Sequence, residues 1–179
     1  MRNGFACFKL GKIFWRNFLE FLEFKKEDAV FCFKVRTTAF IEKFYNELDP
    51  SKISASVTSF LPDDFIKMSK QMKFFIIFDN HKKIGFFCIK KINKKTAEIP
   101  LIYLDFPYIG KGYGSKAMSF IEDWVRENWI NVNKIFLDTI IPRYNGGFYR
   151  KVGYKEKGSS KCVFNNIKVH AIRFEKNLI

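Results

Sequence analysis

Tyr108-Ile109-Gly110-Lys111-Gly112-Tyr113-Gly114-Ser115-Lys116 is the stretch on which the reading of this chain turns. An apolar run, Ile99 to Leu104, leads into it, and an amphipathic segment leaves it. Glycine at 110, 112 and 114 bares the backbone at alternate positions, so main-chain N–H groups can close on an anion that side chains would hold off. A helix beginning here adds about half a positive charge at its N-terminus, which favours phosphate. Two familiar glycine patterns do not fit. A dinucleotide fingerprint needs G-x-G-x-x-G inside a βαβ unit, and Ser115 stands where its third glycine belongs. A G-x-x-x-x-G-K phosphate loop needs glycine just before Lys116, and Ser115 again occupies the place.

Downstream, Ala117, Phe120, Ile121, Trp124 and Val125 recur at the spacing of a helix packed on a sheet, with Glu122, Asp123, Arg126 and Glu127 facing out. Lys134 to Ile141 reads as a strand, and Pro142 opens a helical segment through Lys151 that Gly153 ends. Tyr154 to Val163 and Ile167 to Phe174 make a final hairpin. Upstream, Leu19 to Phe24 is a short first strand, and a helix runs from Glu27 to about Asn46. Asp49-Pro50-Ser51 breaks it, and Pro62 starts a second helix reaching about Met72. Lys73 to Asp79 and Lys83 to Ile92 pair around the turn Asp79-Asn80-His81, followed by the strand Thr96 to Leu104. That last strand contains Pro100, which cannot donate to a ladder. A bulge or a splayed edge follows, with room beside it for a slender ligand.

Length and composition narrow the class. At 179 residues the chain is one domain with a substantial core, and 47% apolar with 28% charged residues is globular composition. No apolar run approaches the ~20 residues that span a bilayer, and Lys9 cuts the N-terminal apolar stretch too short for a signal peptide. Cys7, Cys32, Cys88 and Cys162 lack metal-ligand spacing and read as reduced core thiols of a cytoplasmic protein, with no metal site. The net charge is +14, but only 7 of the 32 basic residues are Arg. Nucleic acid is therefore disfavoured as a partner, since phosphate-reading surfaces tend to use the guanidinium fork. A site for one polyanionic ligand plus solvated lysines accounts for the charge. Residues 1–18 form a basic, aromatic extension that either packs on the domain or meets a partner or membrane surface.

One strand beyond the glycine stretch lies Phe148-Tyr149-Arg150-Lys151-Val152-Gly153-Tyr154. This run and Ile109 to Gly114 together match the two signatures of one family, so the sequence resembles the GNAT (GCN5-related) N-acetyltransferases. The resemblance covers residues 19 to about 176 and implies a domain at 19–179. It implies an α/β (α+β) fold with a mixed sheet of about seven strands. The element order is β-α-α-β-β-β-α-β-α-β-β, splayed between the fourth and fifth strands. Two positions depart from the pattern: Ile109 replaces a Gln or Arg, and Pro142 stands where Asn is frequent, with Asn145 four residues before Tyr149.

Acetyl-CoA as co-substrate, without a metal, is the further implication. Ile109, Gly110, Lys111, Gly112, Tyr113, Gly114 and Ser115 would wrap its pyrophosphate. Ile102, Tyr103 and Leu104 would pair their backbone with its pantetheine arm. A backbone N–H near Leu104 would polarise the thioester carbonyl. Lys111, Lys116 and Lys151 would neighbour the phosphates, with Asn145 and Phe148 also on the cofactor side.

Acetyl transfer to an amine needs the amine neutral. With a pKa near 10, freeing its lone pair at neutral pH costs roughly 4 kcal/mol. Glu98, an acid within apolar sequence, is the candidate base, and its 14-residue distance from Gly112 resembles that of the histone-acetylating branch. Its other reading is a strand-edge glutamate facing water beside Lys94 and Lys95. Tyr149 matches the family's tyrosine beside the CoA sulfur and is the candidate acid. His81 and His170 are poor candidates by position. The acceptor, a primary amine of a small molecule or protein, would meet a region including Arg36, Glu42, Phe60, Asp63 and Asp64. A non-catalytic CoA-binding module and a transferase of longer acyl groups are the alternatives, and a homodimer is compatible with the sequence.

Overall fold

The computed structural model describes residues 19–46, 49–141, 145–164 and 167–178. The 1–18 extension and Pro142 lie outside them. Among the described residues seven strands form one sheet in the spatial order β1-β2-β3-β4-β5-β7-β6. β1 (Leu19–Glu23), β2 (Lys73–Asp79), β3 (Lys82–Lys91) and β4 (Thr96–Leu104) pair antiparallel in sequence. β5 (Lys134–Ile140) runs parallel to β4. β6 (Lys155–Phe164) and β7 (Ile167–Asn177) close the sheet as a hairpin, with β7 against β5.

The helices are α1 (Ala29–Phe44), α2 (Pro50–Thr58) and α3 (Pro62–Ser69) before β2, α4 (Tyr113–Asn128) before β5, and α5 (Gly146–Lys151) before β6. The order is the expected one with a single addition, α2. Asp49-Pro50-Ser51 is both a stop and a start. Asp49 caps the new helix by accepting from the Ser51 N–H at 2.8 Å, and Pro50 takes the first position, where its missing donor costs nothing. In α3, Asp64 reaches back from the first turn to accept the N–H of Leu61, the residue before the helix, at 2.8 Å.

Two helical layers sandwich the sheet, because β2 and β3 are apolar on both faces. Phe75, Ile77, Phe87 and Ile89 pack with Ala117, Met118, Ile121 and Val125 of α4. Phe74, Ile76, Phe86 and Cys88 pack with Ala29, Cys32 and Val35 of α1 and Phe65 of α3. Cys32 and Cys88 are free and buried, and burial pushes both thiols up, which leaves them inert. Cys7 lies outside the described residues. No helix among the described residues is long and apolar enough to cross a membrane.

The apolar stripe of α4 lies as expected, but Glu122 does not face out. It is 6% exposed and accepts Lys176 Nζ of β7 at 2.7 and 2.9 Å. The same ammonium donates to the Val152 carbonyl at 2.9 Å, so one cation pins α4, β7 and the end of α5 together. A carboxylate can be buried here because its counter-charge arrives from a strand 54 residues away. Glu122→Ala should strand that ammonium and destabilise the fold by roughly 2–3 kcal/mol, read by chemical denaturation. The double variant Glu122→Gln/Lys176→Met should recover most of the loss.

Candidate active site

The site begins where β4 leaves β5. The two strands pair only at Thr96, Ala97 and Glu98, against Lys134, Ile135 and Phe136. Beyond Glu98, β4 continues to Leu104 paired with β3 alone among the described residues, while β5 stays with β7. The register of β4 against β3 shifts over the same stretch: Lys90 opposes Glu98, and Cys88 opposes Leu101. Ile99 and Pro100 thus share one opposing position, which is the bulge that Pro100 leads one to expect. The bulge also exchanges the faces. Ala97 and Ile99 point to the α4 layer, and so do Ile102 and Leu104, whereas Leu101 and Tyr103 point to the α1 layer.

At the end of this parted strand Asp105 accepts from the Phe106 N–H at 2.9 Å, and a 3-10 turn, Phe106–Tyr108, leads into the glycines. Gly110 and Gly112 have φ of +80° and +83°, the left-handed region. A Cβ at either would meet nothing within 4 Å, so the requirement for glycine is conformational. Gly112 starts α4, and no side chain caps that end. The first-turn amides of α4 therefore keep their donors for a ligand, unlike that of Ser51 in α2, which Asp49 accepts. Lys111 and Lys116 are exposed there, Ser115 and Tyr113 half-buried, and Ile109 is 56% exposed at the rim. Gly114 serves a different purpose. A Cβ on it would stand 3.1 Å from the Phe148 ring and 3.8 Å from Leu104, so its bareness lets α4, α5 and β4 converge. That contact joins the two sequence signatures.

Tyr149 is 7% exposed, with its ring 5.4 Å from Phe174 and 5.1 Å from Phe148. Burial pushes its phenol well up, and the nearby Tyr103 phenol adds to the shift. Tyr103 belongs to the α1 layer and Tyr149 to the α4 layer. Asn145 precedes α5, its carbonyl accepting the Tyr149 N–H at 3.1 Å, and Lys151 is exposed in the last turn.

Glu98 is half-buried on the face opposite Ala97 and Ile99. Burial raises its carboxyl, Lys90 and Arg173 lower it, and Asp138 raises it. Sequence reasoning missed the last two. Arg173 of β7 grips Asp138 of β5 through two bonds, 2.8 and 3.0 Å, and its guanidinium lies 4.3 Å from the Phe136 ring. No local signal announces a pair 35 residues apart.

On the acceptor side, Arg36 is buried with its guanidinium 4.4 Å from the Phe60 ring and within electrostatic range of Tyr103. Asp63 and Glu42 are exposed. Asp64 accepts from the Leu61 N–H and from Lys67 at 3.0 Å.

Among the described residues, the strand edge that parts from β5 ends at a helix N-terminus with no side-chain cap and with Lys111 and Lys116 exposed beside it. The sequence profile of the acetyltransferase (GNAT) family matches residues 41–154, and the chain belongs to that family. Solved structures agree on the fold. The PaiA N-acetyltransferase of Thermoplasma acidophilum, in complex with coenzyme A, superposes with a TM-score of 0.73 at 18% identity, over 89% of this chain and 98% of that one. A GCN5-related N-acetyltransferase of Rhodopseudomonas palustris gives 0.73 at 14% identity, over 94% and 99%. A variant of the spermidine N-acetyltransferase SpeG of Vibrio cholerae gives 0.63 at 17% identity, over 89% and 94%. No curated protein sequence matches the chain.

Gly112→Ala should force a Cβ into the left-handed region with no clash to relieve, costing roughly 1–2 kcal/mol. Thermal unfolding should report that loss, and calorimetry with CoA should show weaker uptake. Lys111→Ala should leave unfolding unchanged.

Proposed function

We propose that this protein moves an acetyl group from acetyl-CoA to a primary amine of a small molecule or protein, directly and within a ternary complex. The observation that carries the reading is the parting of β4 from β5 beyond Glu98, with the uncapped start of α4 at its far end. The phosphates lie against the amides of residues 109–115, aided by Lys111, Lys116 and Lys151. The pantetheine arm pairs with the backbone of Ile102, Tyr103 and Leu104 as an added strand. A main-chain N–H near Leu104 faces the thioester oxygen and stabilises the charge that develops on it.

Glu98 takes the amine's proton, directly or through a water. The elevation of its carboxyl by burial moves it toward the working range of a general base. Tyr149 serves the leaving sulfur. Burial holds its phenol above the ordinary value near 10, so it stays protonated at any working pH. Its contribution is a hydrogen bond to the developing thiolate, and complete proton donation is less favourable than a free phenol would make it.

Release of free thiol from acetyl-CoA, followed over a panel of polyamines, aminoglycosides, amino acids and lysine or N-terminal peptides, tests the reading. No release with any amine, from protein that binds CoA, would make this a binding module. Tyr149→Phe should lower kcat about tenfold or more, with CoA affinity unchanged. Wild-type turnover with chemistry rate-limiting would remove Tyr149 from the mechanism.

The pH dependence has a definite sign. Activity requires ionised Glu98, so kcat/KM should fall as pH drops through a carboxyl value higher than that of a free glutamate. Glu98→Gln should abolish that limb. A carboxyl raised by burial costs stability above its unfolded value, so the same variant should unfold no earlier than wild type at neutral pH. An unmoved profile would assign the proton to water.

A further inference from the structure

The amides at the start of α4 can grip an anion only if something other than a cap holds them in place, and the structure supplies it from a distant hairpin. Tyr113, the first residue of α4, donates its hydroxyl to Asp79 Oδ2 at 2.6 Å, half-buried and 34 residues away in sequence. Asp79 ends β2, and its partner across the ladder, Lys82, begins β3. Between them Asn80 and His81 take φ of +48° and +64°, the tight two-residue turn that fixes the spacing of its flanking side chains. Lys82 Nζ lies 5.5 Å from the ring of Tyr108, and the Tyr108 and Tyr113 rings meet edge to face at 5.9 Å. Both ends of the glycine turn are thus moored to one rigid pair, 79 and 82.

From this geometry we infer that Asp79 is a positioning residue for the cofactor: acting through Tyr113, the β2–β3 tip preorganises the 109–115 backbone for the CoA phosphates. The inference rests on the reading of that turn as the CoA site. A hydrogen bond to a carboxylate is the stronger kind, and this one spares the ligand the cost of ordering two left-handed glycines. The other carboxylate oxygen of Asp79 accepts from Asn80 Nδ2 at 3.3 Å, so both oxygens are engaged. Lys82 and Lys111 both place their ammonium groups near the Tyr108 ring, at 5.5 and 5.7 Å, and so Lys82 adds a cation to the same rim.

Calorimetry with CoA and amide hydrogen exchange on the free protein test this together. Asp79→Ala and Tyr113→Phe should each weaken CoA binding about five- to twentyfold and speed exchange at residues 110–116. The double variant should bind no worse than the weaker single one. Asp79→Asn, which keeps an acceptor for the phenol, should stay within about twofold of wild type. At saturating acetyl-CoA the Asp79 variants should keep kcat within about twofold, with the loss confined to KM. Singles within twofold of wild type, a double equal to the product of the singles, or Asp79→Asn as weak as Asp79→Ala would each overturn the inference while leaving acetyl transfer intact. Failure of wild-type protein to take up CoA would overturn both.

Discussion

The separation of two parallel strands is the constraint from which the site follows. β4 and β5 share only three register pairs before they diverge. An unpaired strand edge inside a sandwich leaves N–H and C=O groups that must find partners. Water can supply them, and so can a ligand carrying amides at strand-like spacing. The fold keeps the edge available by holding β4 from its other side, through β3, along its whole length. The bulge at Ile99-Pro100 then restores apolar contact with α4, since Ile102 and Leu104 would face the wrong layer without it.

A second asymmetry lies in how the helices begin. α2 is capped by Asp49, but α4 begins on a left-handed glycine with no side-chain acceptor. In a chain of net charge +14, several lysines near that end would repel one another without an anion between them. The local sequence is thus poor at closing its own helix and good at closing on something else. The stability that a cap would give comes instead from the convergence of Leu104, Gly114 and Phe148.

These features differ in how far they could be read from the sequence, and the difference is one of range. Gly110 and Gly112, Pro100 and the α4 stripe act on their immediate neighbours, so composition and spacing expose them. The two signatures brought the family within reach before any geometry was known. What escaped depends on contacts made across the fold. Glu122 reads as exposed until Lys176 arrives, and Asp79 reads as a turn residue until Tyr113 reaches it. α2 escaped for a local reason, because Asp49-Pro50-Ser51 signals an end and a beginning alike. Gly114 was legible as a requirement, but its reason, the Phe148 ring, was not.

The parted strands also settle a problem of sides. Glu98, with Lys90, Asp138 and Arg173 as its charged neighbours, lies on one face of the sheet. Tyr149 is embedded in the core on the other. An unbroken sheet would keep their side chains apart behind two layers of hydrogen-bonded backbone, and no single atom could touch both. Where β5 has swung away, that barrier is missing. Arg173 holds Asp138 through two bonds, so of the two carboxylates Asp138 is the one already paired. On the proposed reading, a thioester laid along β4 would meet Glu98 from the first face and Tyr149 from the second, without either residue leaving its own layer.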